Sequence, residues 1–106
     1  MAFMNLAEAW DLSKLQRGAV LGIDPKTPYT WQAGHTIIRA TTIERIVALT
    51  TIYVNLHAFF GDTTVADAWV HRPNAAFGGR RPIDALISGH FADTLRVRDY
   101  TDAMVA

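Results

Sequence analysis

The sequence predicts a small all-α protein. Apolar residues recur at helical steps of three and four along nearly the whole chain, as at Phe3, Leu6 and Trp10, and no alternating run is long enough to propose a sheet. Hydrophobic residues make up 50% of the 106 residues, which is enough to bury a core. We therefore expect one compact helical domain, or two very small ones that share a core.

Composition narrows the class of protein. Charged residues make up only 19% of the chain and the net charge is +0, so we expect exposed apolar surface on the monomer and either self-association or a partner. The absence of cysteine excludes disulfides and cysteine-based zinc sites. No apolar run approaches the ~20 residues of a spanning helix, and the N-terminus lacks the features of a signal peptide. These features predict a cytoplasmic protein with no membrane segment.

Capping residues predict the first helix boundaries. Ser13 caps a short helix that ends at Gly22, and Asp24-Pro25 marks a turn or a helix start. Another short helix follows, up to Gly34. These short elements are typical of a compact helical region at the start of the chain.

Residues 41–60 predict a long central helix. Thr41 and Glu44 fit a capping box at its start, and Gly61-Asp62 ends it. Its apolar positions are Leu49, Ile52, Tyr53, Leu56, Phe59 and Phe60, broadened by Ile43, Ile46, Val47 and Val54. Because so much of its circumference is apolar, we expect packing neighbours on several sides.

After this helix, Thr64 and Asp67 can cap the next one, which carries Trp69. Pro73 then interrupts helical structure, and Asn74 is a good cap for a single turn formed by residues 75–77. We therefore expect two short helical pieces in quick succession.

The following segment contains glycines and a proline that determine its backbone conformation. Gly78-Gly79 can reverse the chain at positive φ, Pro82 is suited to the first position of a helix, and Gly89 is suited to the position past its end. Arg80 and Arg81 are thereby held on a rigid corner, with about ten N–H donors between them for carboxylates, carbonyls or phosphates. In the simpler structural alternative, one arginine binds helix C-terminal carbonyls and the other is solvated.

Several of these residues stand at fixed spacings that are shared with a known family. They are Trp69, Pro73, Asn74, Gly78, Gly79, Arg80, Arg81, Pro82 and Gly89. The pattern resembles the toxin-binding domain of the Xre/MbcA/ParS antitoxin family, and the likeness covers roughly the second half of the chain. The resemblance implies an N-terminal helix-turn-helix region, residues 1–40, packed with a C-terminal helical toxin-binding domain, residues 41–106.

The same resemblance implies a function. It indicates the antitoxin of a type II toxin–antitoxin pair, which blocks a RES-domain toxin that consumes NAD or uses it for ADP-ribosylation. The residues expected to contact the toxin are Trp69, Asn74, Gly78, Gly79, Arg80, Arg81, Pro82, Tyr100, Met104 and Val105. Residues 101–106 lie too near the free end to be held firmly by local contacts. The family resemblance then implies that they are candidates for becoming ordered on the toxin. Asp102-Ala103 stands where many members of the family carry a glycine.

The first half follows the plan of an Xre-like helix-turn-helix but departs from it at Pro28 and Thr30. If Asp24 is the cap, Pro28 lacks the N–H for an early helical bond. If Thr27 is the cap, Pro28 becomes the first helical residue, and we favour this arrangement. The residues expected to contact DNA are Lys26, Thr27, Tyr29, Thr30 and Gln32.

Charge gives mild support to DNA binding. Five basic and two acidic residues between Lys14 and Arg45 give a local balance of +3, but a net charge of +0 predicts weak binding by a monomer. A homodimer, or a hetero-oligomer with the toxin, would present two such faces to a palindromic operator. Two alternatives stay open: a helix-turn-helix regulator without a toxin, and a toxin-binding module that has lost DNA binding.

Catalytic patterns are weak in this sequence. Ser13 and Ser88 are the only serines, and neither has a neighbouring signal for a base and an acid. The histidines, which are His35, His57, His71 and His90, show no paired metal-ligand spacing. Neither a P-loop nor a GxGxxG motif occurs. We therefore expect no enzyme, no cofactor and no metal site.

Overall fold

The computed structural model describes residues 2–28 and 38–106, and these residues form helices and turns without a strand. The elements are α1 (Ala2–Ala9), α2 (Lys14–Leu21), α3 (Ala40–Phe60), α4 (Thr63–Trp69), a 3₁₀ turn (Ala75–Phe77), α5 (Pro82–Leu86) and α6 (Phe91–Val105). The prediction of an all-α fold is confirmed. The short helix expected up to Gly34 falls largely outside the described residues.

The start of α2 agrees with the sequence prediction. The Gln16 N–H donates to Ser13 Oγ at 3.2 Å, and the Ser13 N–H donates to Gln16 Oε1 at 2.9 Å, which completes a capping box. Gly22, in the left-handed conformation, ends the helix as expected. Two orphan N–H groups at the start of α2 are therefore satisfied within four residues of chain.

The next helix begins earlier than expected. The Asp24 carboxylate accepts from the Lys26 N–H at 2.8 Å, and the Thr27 N–H donates to the Asp24 carbonyl at 3.0 Å. Thr27 is itself helical, together with Pro28. The preference for Thr27 as the cap was therefore wrong, because the Asp24 turn already starts the helical bonding.

The predicted capping box of the long helix is also wrong. The helix α3 begins at Ala40, so Thr41 has a helical backbone and cannot act as its cap. Arg39 occupies the cap position with extended φ and ψ and makes no side-chain cap bond. The end of α3 is as predicted, since Gly61 adopts the left-handed conformation and its N–H donates to the His57 carbonyl.

The helix α3 is the element on which most of the other helices pack, but the expectation of neighbours on several sides is not met. It packs against α1, α2, α4 and α6, and its buried residues include Leu49, Ile52 and Leu56. Apolar side chains on the opposite face stay exposed, which are Ile43, Val47 and Val54. The neighbours therefore cover one side of α3 rather than its whole circumference.

Phe59 was expected in the buried stripe of α3, but it is 52% exposed. It lies in the last turn of the helix, and its ring meets the edge of Phe60 with 5.0 Å between centroids. Phe60 is the one of the two that packs against the core.

The cap of α4 is Asp62, not the predicted Thr64 with Asp67. Asp62 has an extended backbone after Gly61, and its carboxylate accepts from the Val65 N–H at 3.1 Å. Asp67 instead lies 2.8 Å from His57 Nε2 and ties α4 to α3. His57 is thus a half-buried structural residue.

The N-terminal and C-terminal helices share one hydrophobic core. Phe3, Leu6 and Trp10 from the first part of the chain belong to the same buried cluster as Leu86 and Val97 from the second. None of the helices in the described part of the chain has the length and hydrophobicity needed to span a bilayer. The described helices accordingly fold around a common centre.

Substituting Ser13 tests the α2 cap. We expect Ser13→Ala to lower the free energy of unfolding by about 1 kcal/mol, because the Gln16 N–H loses its acceptor. Ser13→Asp keeps an acceptor and should retain most of the stability. Urea unfolding followed by circular dichroism measures both. Equal losses in the two variants would contradict the capping role.

Candidate functional site

The segment from Asn74 to Arg80 forms a closed loop, which we call the corner. The Asn74 N–H donates to the Arg80 carbonyl at 2.9 Å, and the Gly79 N–H donates to the Asn74 carbonyl at 3.0 Å. The Asn74 side chain caps the 3₁₀ turn by accepting from the Ala76 N–H at 2.9 Å. Asn74 therefore acts as the predicted cap and also closes the loop.

The two glycines of the corner have the predicted backbone. Their φ angles are 67° at Gly78 and 80° at Gly79. A Cβ at either position would meet nothing within 4 Å, so the requirement for glycine comes from backbone conformation rather than from crowding.

The residues that directly follow the corner in sequence are bound to the core. The Ile83 N–H donates to the Val70 carbonyl at 2.8 Å. Pro82, Ile83 and Leu86 are buried, and Pro82 is the first residue of α5 as predicted. The helix ends at Leu86, so Gly89 lies beyond the position immediately past its end. Both ends of the corner are thus held by the folded domain.

The two arginines of the corner have different environments. Arg81 is paired with Asp84, with 2.9 Å between Nη2 and Oδ1 and 3.4 Å between Nε and Oδ2. The Arg81 N–H also donates to Asp84 Oδ2 at 3.2 Å. Arg80 is exposed, and its side chain forms no hydrogen bond or ion pair with residues 2–28 or 38–106. Neither arginine side chain binds a helix C-terminal carbonyl in this part of the chain.

The pairing lowers the pKa of Asp84 below its ordinary value of 3.8. The hydrogen bond from the Arg81 side chain is the largest cause, and the backbone bond and the charges of Arg81 and Arg80 act in the same direction. Partial burial of Asp84 opposes them. Asp84 therefore keeps its charge, and with it the ion pair, to lower pH than an isolated aspartate would.

Three aromatic side chains connect the corner to α6, and we call them the aromatic cluster. Trp69 and Tyr100 are stacked with 5.9 Å between ring centroids. Phe77, from the 3₁₀ turn, meets the edge of Tyr100 at 5.4 Å and of Trp69 at 6.4 Å. Two of the predicted contact residues, Trp69 and Tyr100, are therefore direct neighbours, and Phe77 is a member that the sequence analysis missed.

The C-terminal segment is held more firmly than the sequence predicts. Thr101 is fully buried, and the Asn55 side chain donates to Thr101 Oγ1 at 3.3 Å and to Asp102 Oδ1 at 2.7 Å. Met104 packs against the core, whereas Val105 is 42% exposed. The expectation of a loose tail was wrong, because α3 supplies a polar partner and an apolar surface that extend α6 to Val105.

A polar cleft of about 330 Å³ lies between the corner and α6. It is lined by Phe77, Gly78, Arg80, Arg81, Asp84, Ala85, Ser88, Asp93 and Arg96. Phe77 belongs to both the cleft and the aromatic cluster, so the two features form one continuous region. Asp84, Asp93 and Arg96 were not selected from the sequence. Only Asp84 carried a local signal, as a carboxylate three residues after Arg81.

The predicted contact residues divide by accessibility. Gly78, Gly79, Arg80, Arg81, Tyr100 and Val105 are exposed. Pro82 is buried, and Trp69, Asn74 and Met104 are partly buried and support the fold. Contact with a partner stays a prediction for every one of them. The exposed members are the ones whose side chains or backbone an approaching surface can reach.

Little of the predicted DNA surface can be described. Lys26 is exposed and Thr27 is half-buried. Tyr29, Thr30 and Gln32 lie outside the described residues. Their contact with DNA therefore stays a prediction.

The histidines within residues 2–28 and 38–106 either have structural partners or are exposed. His71 Nε2 lies 2.7 Å from the Trp10 carbonyl, which ties the end of α4 to the N-terminal region. His90 is exposed at the start of α6. Over residues 2–28 and 38–106, no cluster of three histidine, aspartate or glutamate side chains is arranged to hold a metal ion.

Comparison with known proteins gives this region a context. The family model of the antitoxin Xre/MbcA/ParS C-terminal toxin-binding domain matches residues 55–105, which include the corner, the aromatic cluster and α6. The uncharacterized protein y4oB of Sinorhizobium fredii (strain NBRC 101917 / NGR234) is 33% identical over 103 residues, which are 96% of this chain and 80% of that protein. The chain belongs to the Xre/MbcA/ParS antitoxin family. The toxin-binding domain of this antitoxin thus contains both arginines of the corner, and its partner is a toxin.

The Arg81–Asp84 pair makes the stability of the antitoxin depend on pH in a defined direction. Because the folded-state pKa of Asp84 is lowered, the pair stabilises the folded chain above the ordinary pKa of 3.8. That contribution is lost as the pH falls through the lower folded-state pKa. We expect Asp84→Asn to be less stable than the parent chain at pH 7, with the difference shrinking at pH 3.

Urea unfolding at the two pH values measures this difference. In an Arg81→Gln background, Asp84→Asn should have a smaller effect at pH 7, because the side-chain partner is already absent. A difference that stays the same at pH 7 and pH 3 would contradict the pairing.

Proposed function

We propose that this antitoxin neutralises a RES-domain toxin by direct protein contact and closes the toxin's cleft to NAD. The observation that carries the proposal is the continuity of the corner, the aromatic cluster and α6 within the matched toxin-binding domain. Exposed side chains on this region supply two kinds of contact, namely charge at Arg80 and apolar surface at Tyr100 and Val105. No chemistry by the antitoxin itself is required, because steric closure of the toxin is sufficient.

We divide the chain into residues 1–40, with a helix-turn-helix role, and residues 41–106, with the toxin-binding role. The helices α1 and α2 pack on α3 in the shared core, so the two regions act as one folded unit. Under this proposal, DNA binding and toxin binding occur on different surfaces of the same protein in the cytoplasm. The complex would repress its own operon as a dimer or as a larger assembly with the toxin.

Capture of the toxin tests the first part of the proposal. A tagged copy of the full chain, expressed in the native host, should retain a RES-domain protein that mass spectrometry identifies. Recovery of operator DNA without such a protein would instead favour a regulator that has no toxin partner. Recovery of the toxin without DNA would favour a toxin-binding module that has lost DNA binding.

The exposed end of α6 should contribute to toxin capture. We expect Val105→Asp to reduce the recovered toxin about tenfold, because a charge replaces an exposed apolar contact. Val54→Asp is the matched control, since Val54 is 56% exposed on the outer face of α3 and the same charge is introduced there. Equal recovery with Val105→Asp and the parent chain would remove Val105 from the interface.

The helix-turn-helix role makes a separate prediction. Substituting Lys26 and Gln32 by alanine should weaken binding to the upstream promoter and reduce its salt dependence, because phosphate contacts are lost. Toxin capture by this double variant should equal that of the parent chain. A fluorescence anisotropy titration at two salt concentrations measures DNA binding. Loss of both activities would indicate a folding defect or a shared surface.

A further inference from the structure

The cleft between the corner and α6 carries more positive charge than its own carboxylates neutralise. Its charged residues are Arg80, Arg81, Arg96, Asp84 and Asp93, so three guanidinium groups face two carboxylates. The net charge of the cleft is therefore positive by one. A ligand with a single negative charge would balance it.

The internal pairs of the cleft identify which arginine is available. Arg81 is held by Asp84 with 2.9 Å between Nη2 and Oδ1. Arg96 lies 3.9 Å from Asp93, whose carboxylate also accepts a hydrogen bond from Ser88 Oγ at 2.9 Å. Both aspartates thus have partners inside the cleft.

Arg80 is the arginine without such a partner in residues 2–28 and 38–106. Its backbone is nevertheless fixed, since its carbonyl accepts from the Asn74 N–H at 2.9 Å and its N–H donates to the Phe77 carbonyl at 3.2 Å. A fixed backbone reduces the conformational entropy that is lost when the guanidinium binds a partner. A rigid backbone that carries an exposed guanidinium suits bidentate recognition of an anionic group.

We infer that Arg80 binds a carboxylate side chain of the toxin, while Arg81 is a positioning residue that neutralises Asp84. This inference rests on the proposed function and assigns distinct roles to two adjacent arginines. A carboxylate fits better than a phosphate dianion, because one negative charge balances the net charge of the cleft and a second would leave it negative. Phe77 lines the same cleft, so the acidic side chain enters beside an aromatic ring.

Three variants of the full chain separate the two roles. Arg80→Gln removes the charge and the fork, and we expect at least a tenfold loss of toxin recovered from the native host. Arg80→Lys keeps the charge but not the fork and should retain an intermediate amount. The double variant Arg81→Gln/Asp84→Asn removes a neutral pair and leaves the net charge of the cleft unchanged, so it should lose clearly less toxin than Arg80→Gln.

Circular dichroism and thermal unfolding of each variant control for folding. The Arg80 variants should unfold close to the parent temperature, since the Arg80 side chain forms no hydrogen bond or ion pair in the described part of the chain. Mass spectrometry with an isotope-labelled reference measures how much RES-domain protein each variant retains.

The outcomes distinguish this inference from the proposed function. Equal toxin recovery by the parent chain and folded Arg80→Gln overturns the inference and leaves the antitoxin proposal intact. Equal losses with Arg80→Gln and the Arg81/Asp84 double variant overturn the division of roles. Loss of promoter DNA rather than toxin from Arg80→Gln assigns Arg80 to a phosphate and also overturns the inference. A parent chain that retains no RES-domain protein overturns both proposals.

Discussion

Burial of one face of α3 is the interaction on which the rest of the structure depends. Leu49, Ile52 and Leu56 on this face are fully buried. Removing a side chain of this kind from water contributes roughly 1.5–3 kcal/mol. The short helices on either side cannot supply such a surface alone, because α1 and α2 have 8 residues each and helices of that length are marginal in water. They become stable by packing on α3.

The toxin-binding region is rigid because it is held against this core. The bond from Ile83 to Val70 fastens the end of the corner, and the aromatic cluster fastens its 3₁₀ turn to α6. Within the corner, two backbone bonds at Asn74 close the loop. The exposed charge of Arg80 is therefore carried on a backbone segment that the folded protein already holds in place. Such preorganisation favours affinity by lowering the cost of ordering a loop during association.

Features set by local chemistry could be predicted from the sequence. Ser13, Asn74 and Pro82 occupy their predicted positions because a cap or a helix start depends on backbone preferences within a few residues. The caps of α3 and α4 could not be chosen reliably, since several polar residues compete near each start and tertiary packing decides where the helix begins. The pairing of Arg81 with Asp84 could be predicted from their three-residue spacing. That this pairing leaves Arg80 as the arginine able to bind a partner follows only from the geometry of the cleft.

The packing of α6 against α3 depends on contacts between residues far apart in sequence, which no local pattern reveals. Asn55 and Thr101 are far apart in sequence, yet their side chains bond across the α3–α6 interface at 3.3 Å. The last turns of α6 are thus formed in the antitoxin before any toxin is present. Coupled folding and binding typically consumes about 2–5 kcal/mol of the gross interaction energy in ordering a segment. Under the proposed function, an antitoxin that presents a finished helix to its toxin would avoid most of that loss, so it would need less contact area for the same affinity.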